Sequence, residues 1–468
     1  MKAVSRSRTR AKDGAESWSG GNRSAIPIFL FLAAAIPVAA QPGLSLRDAV
    51  RIALEKHPSI EVSAAQVRAA ASRVQQAKSG YLPKVNYTES FQSSDNPVFV
   101  FGTLLTQRRF TEQNFSIGSL NRPGFVNNFQ SQVGVDQMVY DFGATRHLVR
   151  SAVLGKEMTA EQERLVKMSL IAQVARTYHS VALAEESLKV ALLAVTSSEA
   201  DAQRAEAVRS AGMSTEADVL SIRVHLAAMK EQQIRRTYDV QVARAALNES
   251  LGLPLDAPQE LTTTLTALAS TTAERAELEK RAVAERPEAH QTELARQLAE
   301  TQSKTARASF YPQLVARGVF EADRGRFVTQ AGANWFFGAS LRWNLFNGFA
   351  DKGRIEEAFQ TAAAARARER EVSSAVQLQV RQAHAALQSA RERIAVASAA
   401  VTQAEESLRI TKNRYEAGLG TVTELLRNET SALEARTRRL AAIYDQRVAA
   451  AMLELATGTL SGDSDVLQ

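Results

Sequence analysis

One helical pattern occurs twice in this chain, 206 residues apart, and that duplication limits the folds open to it more than any other feature. From Val376 the small and apolar residues step through Val380, Ala383, Leu387, Ala390, Ile394, Ala397, Val401, Ala404 and Leu408. The steps alternate between four and three, which is the a/d register of a coiled coil. The register arrives at Tyr415, and Glu416-Ala417-Gly418-Leu419-Gly420-Thr421 follows, where two glycines let the backbone reverse. Leu426, Leu433 and Leu440 then return at seven-residue spacing. Moving every position back by 206 places Leu170, Val174, Thr177, Val181, Ala184, Leu188, Ala191, Val195, Ser198 and Ala202 under the same register. The same shift puts Ala211-Gly212-Met213-Ser214-Thr215 under the tip. An ungapped offset over this length is an internal duplication. Each copy reads as a long helical hairpin closed by a glycine turn.

The segments between the hairpins repeat as well. Leu46, Val50, Ala53 and Leu54 mark a short amphipathic helix that His57-Pro58 breaks, and a second helix runs to about Lys78. Ser79-Gly80-Tyr81-Leu82-Pro83 then ends helical structure. Arg286-Pro287 and Ser309-Phe310-Tyr311-Pro312 reproduce that order at an offset of 229. Because the offset later falls back to 206, the first half holds 23 extra residues between Pro83 and about Val133. This excess includes Phe99-Val100-Phe101 and Arg108-Arg109-Phe110 and reads as a long loop near residues 93–126.

After each aromatic-proline turn the pattern changes to period two. Val133, Val135 and Val139 share one face with Gly134 and Asp136 opposite; Ala339, Leu341, Trp343 and Leu345 share another, opposed by Ser340, Arg342 and Asn344. Each half therefore offers a pair of strands, over residues 83–91 and 127–140 and over 312–320 and 335–345. A soluble sandwich is one home for them. Trp335 and Trp343, however, lie here with Phe336, Phe337, Phe346 and Phe349, as aromatics do at a membrane interface. In such a barrel Asp136 and Arg342 would line the lumen. Each strand pair passes into a helix, at Asp141-Phe142-Gly143 and at Asn347-Gly348-Phe349. No proline interrupts residues 144–209, which at ~1.5 Å per residue predicts a helix on the order of 100 Å long that needs lateral support from neighbours. The expected fold is mainly α with a small β part.

Residues 1–40 read as a secretory signal peptide: a basic segment, an apolar run at 26–36 and small residues Val38-Ala39-Ala40 before Gln41. The division expected beyond it is a first repeat over 41–252, a polar Thr-rich connector over 253–273, a second repeat over 274–460 and a C-terminal tail over 461–468. No later run is apolar and long enough to span a membrane as a helix, so any crossing falls to the strands. Four of the seven excess positive charges sit in residues 1–40, and no basic patch with interleaved aromatics remains, which argues against nucleic acid as a partner.

Candidate chemistry is thin. The chain has no cysteine, and its histidines at 57, 147, 179, 225, 290 and 384 show no pair at metal-binding helical spacing. There is no phosphate loop and no nucleophile elbow, so neither an enzyme nor a cofactor is expected. Four strands cannot close a barrel, since about eight is the minimum, and open edges are not tolerated in lipid. Several copies must share one barrel, and three would supply twelve strands.

The tandem halves, the strand pair inside each, Tyr81-Leu82-Pro83 and Phe310-Tyr311-Pro312 before the strands, and the Ala-Gly tips with an acidic residue a turn later resemble the TolC-type outer-membrane efflux proteins over nearly all of residues 44–458. The resemblance implies a homotrimer in the outer membrane of a Gram-negative bacterium. Its shared twelve-stranded barrel would continue as a helical tunnel through the periplasm, a passive exit duct of an efflux or type I secretion system. It implies a periplasmic adaptor protein and an inner-membrane transporter as partners, with outer-membrane lipid around the barrel and Trp335 and Trp343 at its interface. Adaptor docking carries over to Ala211, Gly212, Met213, Ala417, Gly418 and Leu419. The family's closing network carries over to Tyr415, Asp218 and Glu424. Gly420 stands where the family has a gate arginine, and Arg427 where some members carry a second acidic ring. The 93–126 loop would then be extracellular. A secreted coiled-coil scaffold or adaptor without a barrel is the alternative.

Overall fold

The computed structural model describes residues 43–269, 274–328 and 330–467. The expected signal peptide and part of the connector lie outside the described residues. Helices α1 (Leu46–Lys56) and α2 (Pro58–Lys78) meet at the predicted break. Ser45 starts α1 by accepting a hydrogen bond from the Asp48 N–H, and Pro58 occupies the first turn of α2, where a missing N–H costs nothing. Strand β1 (Lys84–Ser94), helices α3 (Pro97–Thr106) and α4 (Ile117–Asn121) and strand β2 (Val126–Tyr140) follow. The first hairpin is α5 (Ala144–Ser210) and α6 (Glu216–Leu251). The second half repeats these elements as α7 (Arg275–Glu285), α8 (Pro287–Ala308), β3 (Gln313–Arg324), β4 (Gly332–Arg342), α9 (Ala350–Glu416) and α10 (Val422–Thr457). Both long helices have 67 residues and both return helices 36, so the 206-residue offset is a structural repeat as well.

The long helices lie side by side in the order α6, α5, α10, α9, with α2 beside α5 and α8 between α5 and α9. The a/d residues face inward as the register requires. Val376, Val380, Leu387 and Ala390 of α9 are buried, as are Leu170, Val174, Val181, Ala191 and Val195 of α5. Two glycines join the layers end to end. Gly252 takes φ +69° at the end of α6, and a Cβ there would come within 2.8 Å of the Lys56 carbonyl oxygen; Gly458, at φ +79°, meets Arg286 N in the same way at 2.9 Å. The return helices therefore abut the α1–α2 and α7–α8 junctions.

The largest core forms at this height from α1, α5, α6 and α10, around Leu46, Val50, Val174, Tyr178, Leu247 and Leu251. Each such aliphatic side chain contributes about 1.5–3 kcal/mol by leaving water. The connector crosses it as a belt: Leu261 bridges Leu44, Tyr178 Oη donates to the Leu44 carbonyl at 2.7 Å, and Arg447 Nε donates to the Thr266 carbonyl at 2.8 Å. The C-terminal tail is packed too, with Leu467 buried in the same core as Leu460 at the end of the second repeat.

The strands form one antiparallel sheet in the order β1-β2-β3-β4 with both ends open. Directly opposed residues share a face, so the register sorts the side chains. One face carries Val85 and Tyr87, Val133 and Val135, Phe320, Trp335, Phe337 and Leu341. The other carries Asn86 and Thr88, Gln132 and Asp136, Arg317 and Glu321, and Asn334 and Arg342. Val139, expected beside Val135, instead falls in a bulge between Met138 and Tyr140. Strand β4 ends at Arg342, so Trp343 and Leu345 lie beyond it, in the approach to α9. The expected open loop over 93–126 is also corrected. Strand β1 extends to Ser94, and most of the remainder is ordered as α3, a short 3-10 turn at Glu112–Phe115 and α4.

Candidate functional site

The hairpin tips lie at the far end of the long helices from the sheet. At each, the helix ends in paired backbone bonds that use a left-handed glycine: Gly212 (φ +77°) donates to the Arg209 carbonyl at 2.8 Å and Met213 to Val208 at 3.0 Å. Gly418 (φ +73°) and Leu419 repeat this on Tyr415 and Arg414, at 3.0 and 2.8 Å. Two residues on, a capping box opens each return helix. Thr215 Oγ1 accepts from Asp218 N at 3.2 Å while the Asp218 carboxylate accepts from Thr215 N at 3.2 Å, and Thr421 and Glu424 make the same exchange. The turn is thus fixed by backbone and local side chains alone. Met213 and Leu419 project from it 74% and 71% exposed, which is the apolar pair expected at the tips.

The expected closing residues are brought near one another but are not bonded as the resemblance suggested. The Asp218 carboxylate takes its bonds from Thr215 and Ser214, and those hydrogen bonds hold it below the usual carboxylate range. Tyr415 packs against Ala202, Ala205, Val219 and Ile222, and burial, then the charges of Asp218 and Asp201, push its phenol up. Among the described residues no hydrogen bond joins Tyr415 to Asp218. Gly420 explains its own identity: a Cβ there would come within 3.2 Å of Tyr415 N, so the loop passes close under the end of α9. Glu424 and Arg427 are exposed. Arg204 of α5 pairs with Glu416 of α9, tying the two hairpins just above the tips.

About one turn further up lies a cluster that sequence reading missed. Lys412 Nζ (α9) sits 2.9 Å from Oδ1 of Asp201 (α5), which is 1% exposed. Glu429 (α10) lies beside it, with Oε2 3.2 Å from His225 Nε2 (α6) and Oε1 3.3 Å from Ser197 Oγ. All four long helices contribute a polar group. Burial, and then the hydrogen bond with Glu429, raise the Asp201 carboxyl above its usual range against the pull of Lys412. Burial pushes Glu429 the same way, but bonds from His225 and Asp201 outweigh it and leave its carboxyl lowered. The two neighbouring carboxyls are thus shifted in opposite directions, Asp201 up and Glu429 down. Each residue alone looks like one more charge on a helix; only the hairpins' packing joins them.

At the other end, Trp343 Nε1 donates to the Phe310 carbonyl at 3.0 Å at the base of the sheet, and Trp335 stacks beside Phe320 and Phe337 near its outer end. Eight residues at ~3.3 Å separate the two tryptophans by about 26 Å along the chain, which at a strand tilt of ~40° is about 20 Å along the barrel axis, within the ~25 Å apolar band of an outer-membrane barrel. Among the described residues no helix is long and apolar enough to cross a membrane.

An open four-stranded sheet with one apolar face, set on helical hairpins of this length, defines an outer-membrane channel component. Residues 49–253 and 278–459 match the model of the outer membrane efflux protein family, and the chain belongs to that family. It is 25% identical to protein CyaE of Bordetella pertussis over 90% of this chain and 86% of that one. It is 23% identical to the pyoverdine export outer membrane protein OpmQ of Pseudomonas putida, over 88% and 85%. The CmeC outer membrane channel of Campylobacter jejuni shares its fold with a TM-score of 0.77, at 16% identity over 90% of this chain and 87% of that one. For the MtrE channel of Neisseria gonorrhoeae the TM-score is 0.73, at 19% identity over 89% and 91%. The protein is an outer-membrane exit duct that reaches into the periplasm, and the alternative of a barrel-less scaffold falls away.

Proposed function

We propose that three copies close one duct that supplies no chemistry of its own, and that its tips dock on a periplasmic adaptor coupled to an inner-membrane transporter. What carries this reading is that both layers end in two free edges. In the sheet these are β1 and β4, and in the helical layer α6 and α9. Leu220, Val224, Ile234, Tyr238 and Val242 of α6 are exposed, as is Val396 of α9, and Ala397 and Ala400 of α9 line an open groove shared with Ala435 and Ala441 of α10. A neighbouring copy covers both at once, turning twelve strands into a barrel without edges and the helices into a tunnel. The apolar sheet face meets lipid, with Trp335 and Trp343 at its margins, and Asp136 and Arg342 line the lumen.

Ala211, Gly212, Met213, Ala417, Gly418 and Leu419 form the docking surface. Met213 and Leu419 each gain about 1.5–3 kcal/mol if a partner buries them fully. Tyr415, Asp218, Glu424 and Arg427 surround the closing point, and opening is a small shift of the α9–α10 hairpin against α5–α6. Heat-modifiable, SDS-resistant trimers in outer-membrane fractions test the assembly; a soluble monomer would overturn it. Asp218→Ala with Tyr415→Phe is expected to raise single-channel conductance in planar bilayers, and unchanged conductance rejects the closing role.

A further inference from the structure

Helix α3 is amphipathic in the wrong sense for a surface helix. Its buried side, Val100, Thr103 and then Gln107, lies on the polar face of the sheet. Gln107 Nε2 donates to the Asn127 carbonyl at 2.8 Å and to Asn128 Oδ1 at 2.9 Å, and Asn128 Nδ2 donates to Asp323 Oδ1 at 2.6 Å. Arg108 Nη2 adds a bond to the Ala333 carbonyl at 3.0 Å. The contact leaves no slack, since a Cβ on Gly332 would overlap the Thr106 carbonyl oxygen. Asn128, Asp323 and Gly332 all belong to the face of Asp136 and Arg317, so α3 sits inside the duct at its outer end. Its other side is apolar and points away from the sheet. Val98 is 83% exposed, and Phe101, Phe110 and Phe115 cluster edge to face behind it, leading to Ile117 at 78%.

We infer that residues 97–125 of three copies meet on the axis and close the outward mouth of the duct with an apolar plug. This rests on the shared-barrel reading above, which fixes which face is luminal and sets the equivalent segments around one axis. Twelve strands ~4.8 Å apart and tilted by about 40° close to a cylinder about 24 Å across. Three bodies ~10 Å thick in mutual contact occupy a circle about 22 Å across, wider than the bore left between the inward side chains, so one helix from each copy leaves no open path at the rim. An apolar helix face inside an aqueous lumen gains by leaving water, and the surface within reach is the same face of the neighbouring copies. The 23 residues that the second half lacks thus supply one lid per protomer.

The chain has no cysteine, so single thiols can be placed cleanly. Val98→Cys and Ile117→Cys are expected to give disulfide-linked dimers when outer membranes are oxidised with copper phenanthroline, while Phe337→Cys on the lipid face gives none. Thiols at 98 and 117 that stay unlinked in SDS-resistant trimers, yet react with an impermeant maleimide added to whole cells, overturn the plug. Absence of trimers overturns the shared barrel itself, and the plug with it. A second measurement uses Asp136→Cys, below the plug. Its labelling by a polyethylene-glycol maleimide from outside is expected to be at least about tenfold slower than when Val98→Asp and Leu105→Asp are added, as for a site whose open form is a minority of about 10% or less. Equal rates count against closure.

Discussion

Lys412 Nζ lies 2.9 Å from the buried Oδ1 of Asp201 and thereby fastens α9 of one hairpin to α5 of the other. The bond sits between the tips and the mid-height core, where sliding of one hairpin on the other must break it. Lys412→Met leaves the buried Asp201 carboxyl beside Glu429 with no cation. It is expected to cost about 1–3 kcal/mol per protomer and to increase channel openings in bilayers. Asp201→Asn on top of Lys412→Met should recover part of the loss, because an amide needs no counter-ion. A double-mutant cycle on thermal unfolding measures the coupling; additive effects would show that the pair does not act as a latch.

The mid-height core predicts an acid sensitivity. His179 is buried beside Tyr178, and burial, then the charge of Arg447, lower its pKa from 6.5 to about 4. Between those values the unfolded chain binds a proton that the folded chain does not. Stability therefore falls as pH drops through this window, by up to about 3 kcal/mol per protomer. His179→Leu should flatten that slope in detergent-solubilised protein. An unchanged slope between pH 7 and pH 4 would place the acid sensitivity elsewhere.

Cap and gate can be separated at the first tip. Thr215→Ala removes the capping partner of Asp218 and should cost about 1 kcal/mol. If Asp218 also helps close the duct, Asp218→Ala opens the channel more than Thr215→Ala does at equal loss of stability. Equal conductance in the two variants would reduce Asp218 to a cap. Gly212→Ala should cost about 1–2 kcal/mol of backbone strain, because no side chain crowds the site but its φ is left-handed.

Asp136 lies 3.6 Å from Arg317 on the polar sheet face, and both are substantially exposed. Such a pair adds about 0–1 kcal/mol to stability, but it sets the field inside a narrow lumen. Asp136→Asn is expected to leave the unfolding temperature nearly unchanged and to shift the reversal potential in a salt gradient toward anions. A selectivity equal to wild type would mean that this face does not line the conducting path.

Much of this was legible because it is periodic. The a/d run from Val376 and its copy from Leu170 gave helix faces, His57-Pro58 and Arg286-Pro287 gave the breaks, and the alternation around Val133 and Leu341 gave the sides of the sheet. Boundaries were less legible where strand and turn chemistry compete, as at Val139, where a bulge interrupts an alternation that continues unbroken in sequence.

The sequence by itself determined two hairpins, their glycine tips and a sheet too small to close alone, since each follows from local spacing and backbone preference. Tertiary structure alone decided which charges meet and where the extra residues go. Asp201, His225, Lys412 and Glu429 lie on four helices, and a helix's own period does not say what faces it across a packing seam. Helix α3 falls where the sequence reads as a long loop. Its few polar groups, Thr103, Gln107 and Arg108, settle its position by bonding to the luminal face of the sheet, a partner that exists only once the strands have paired.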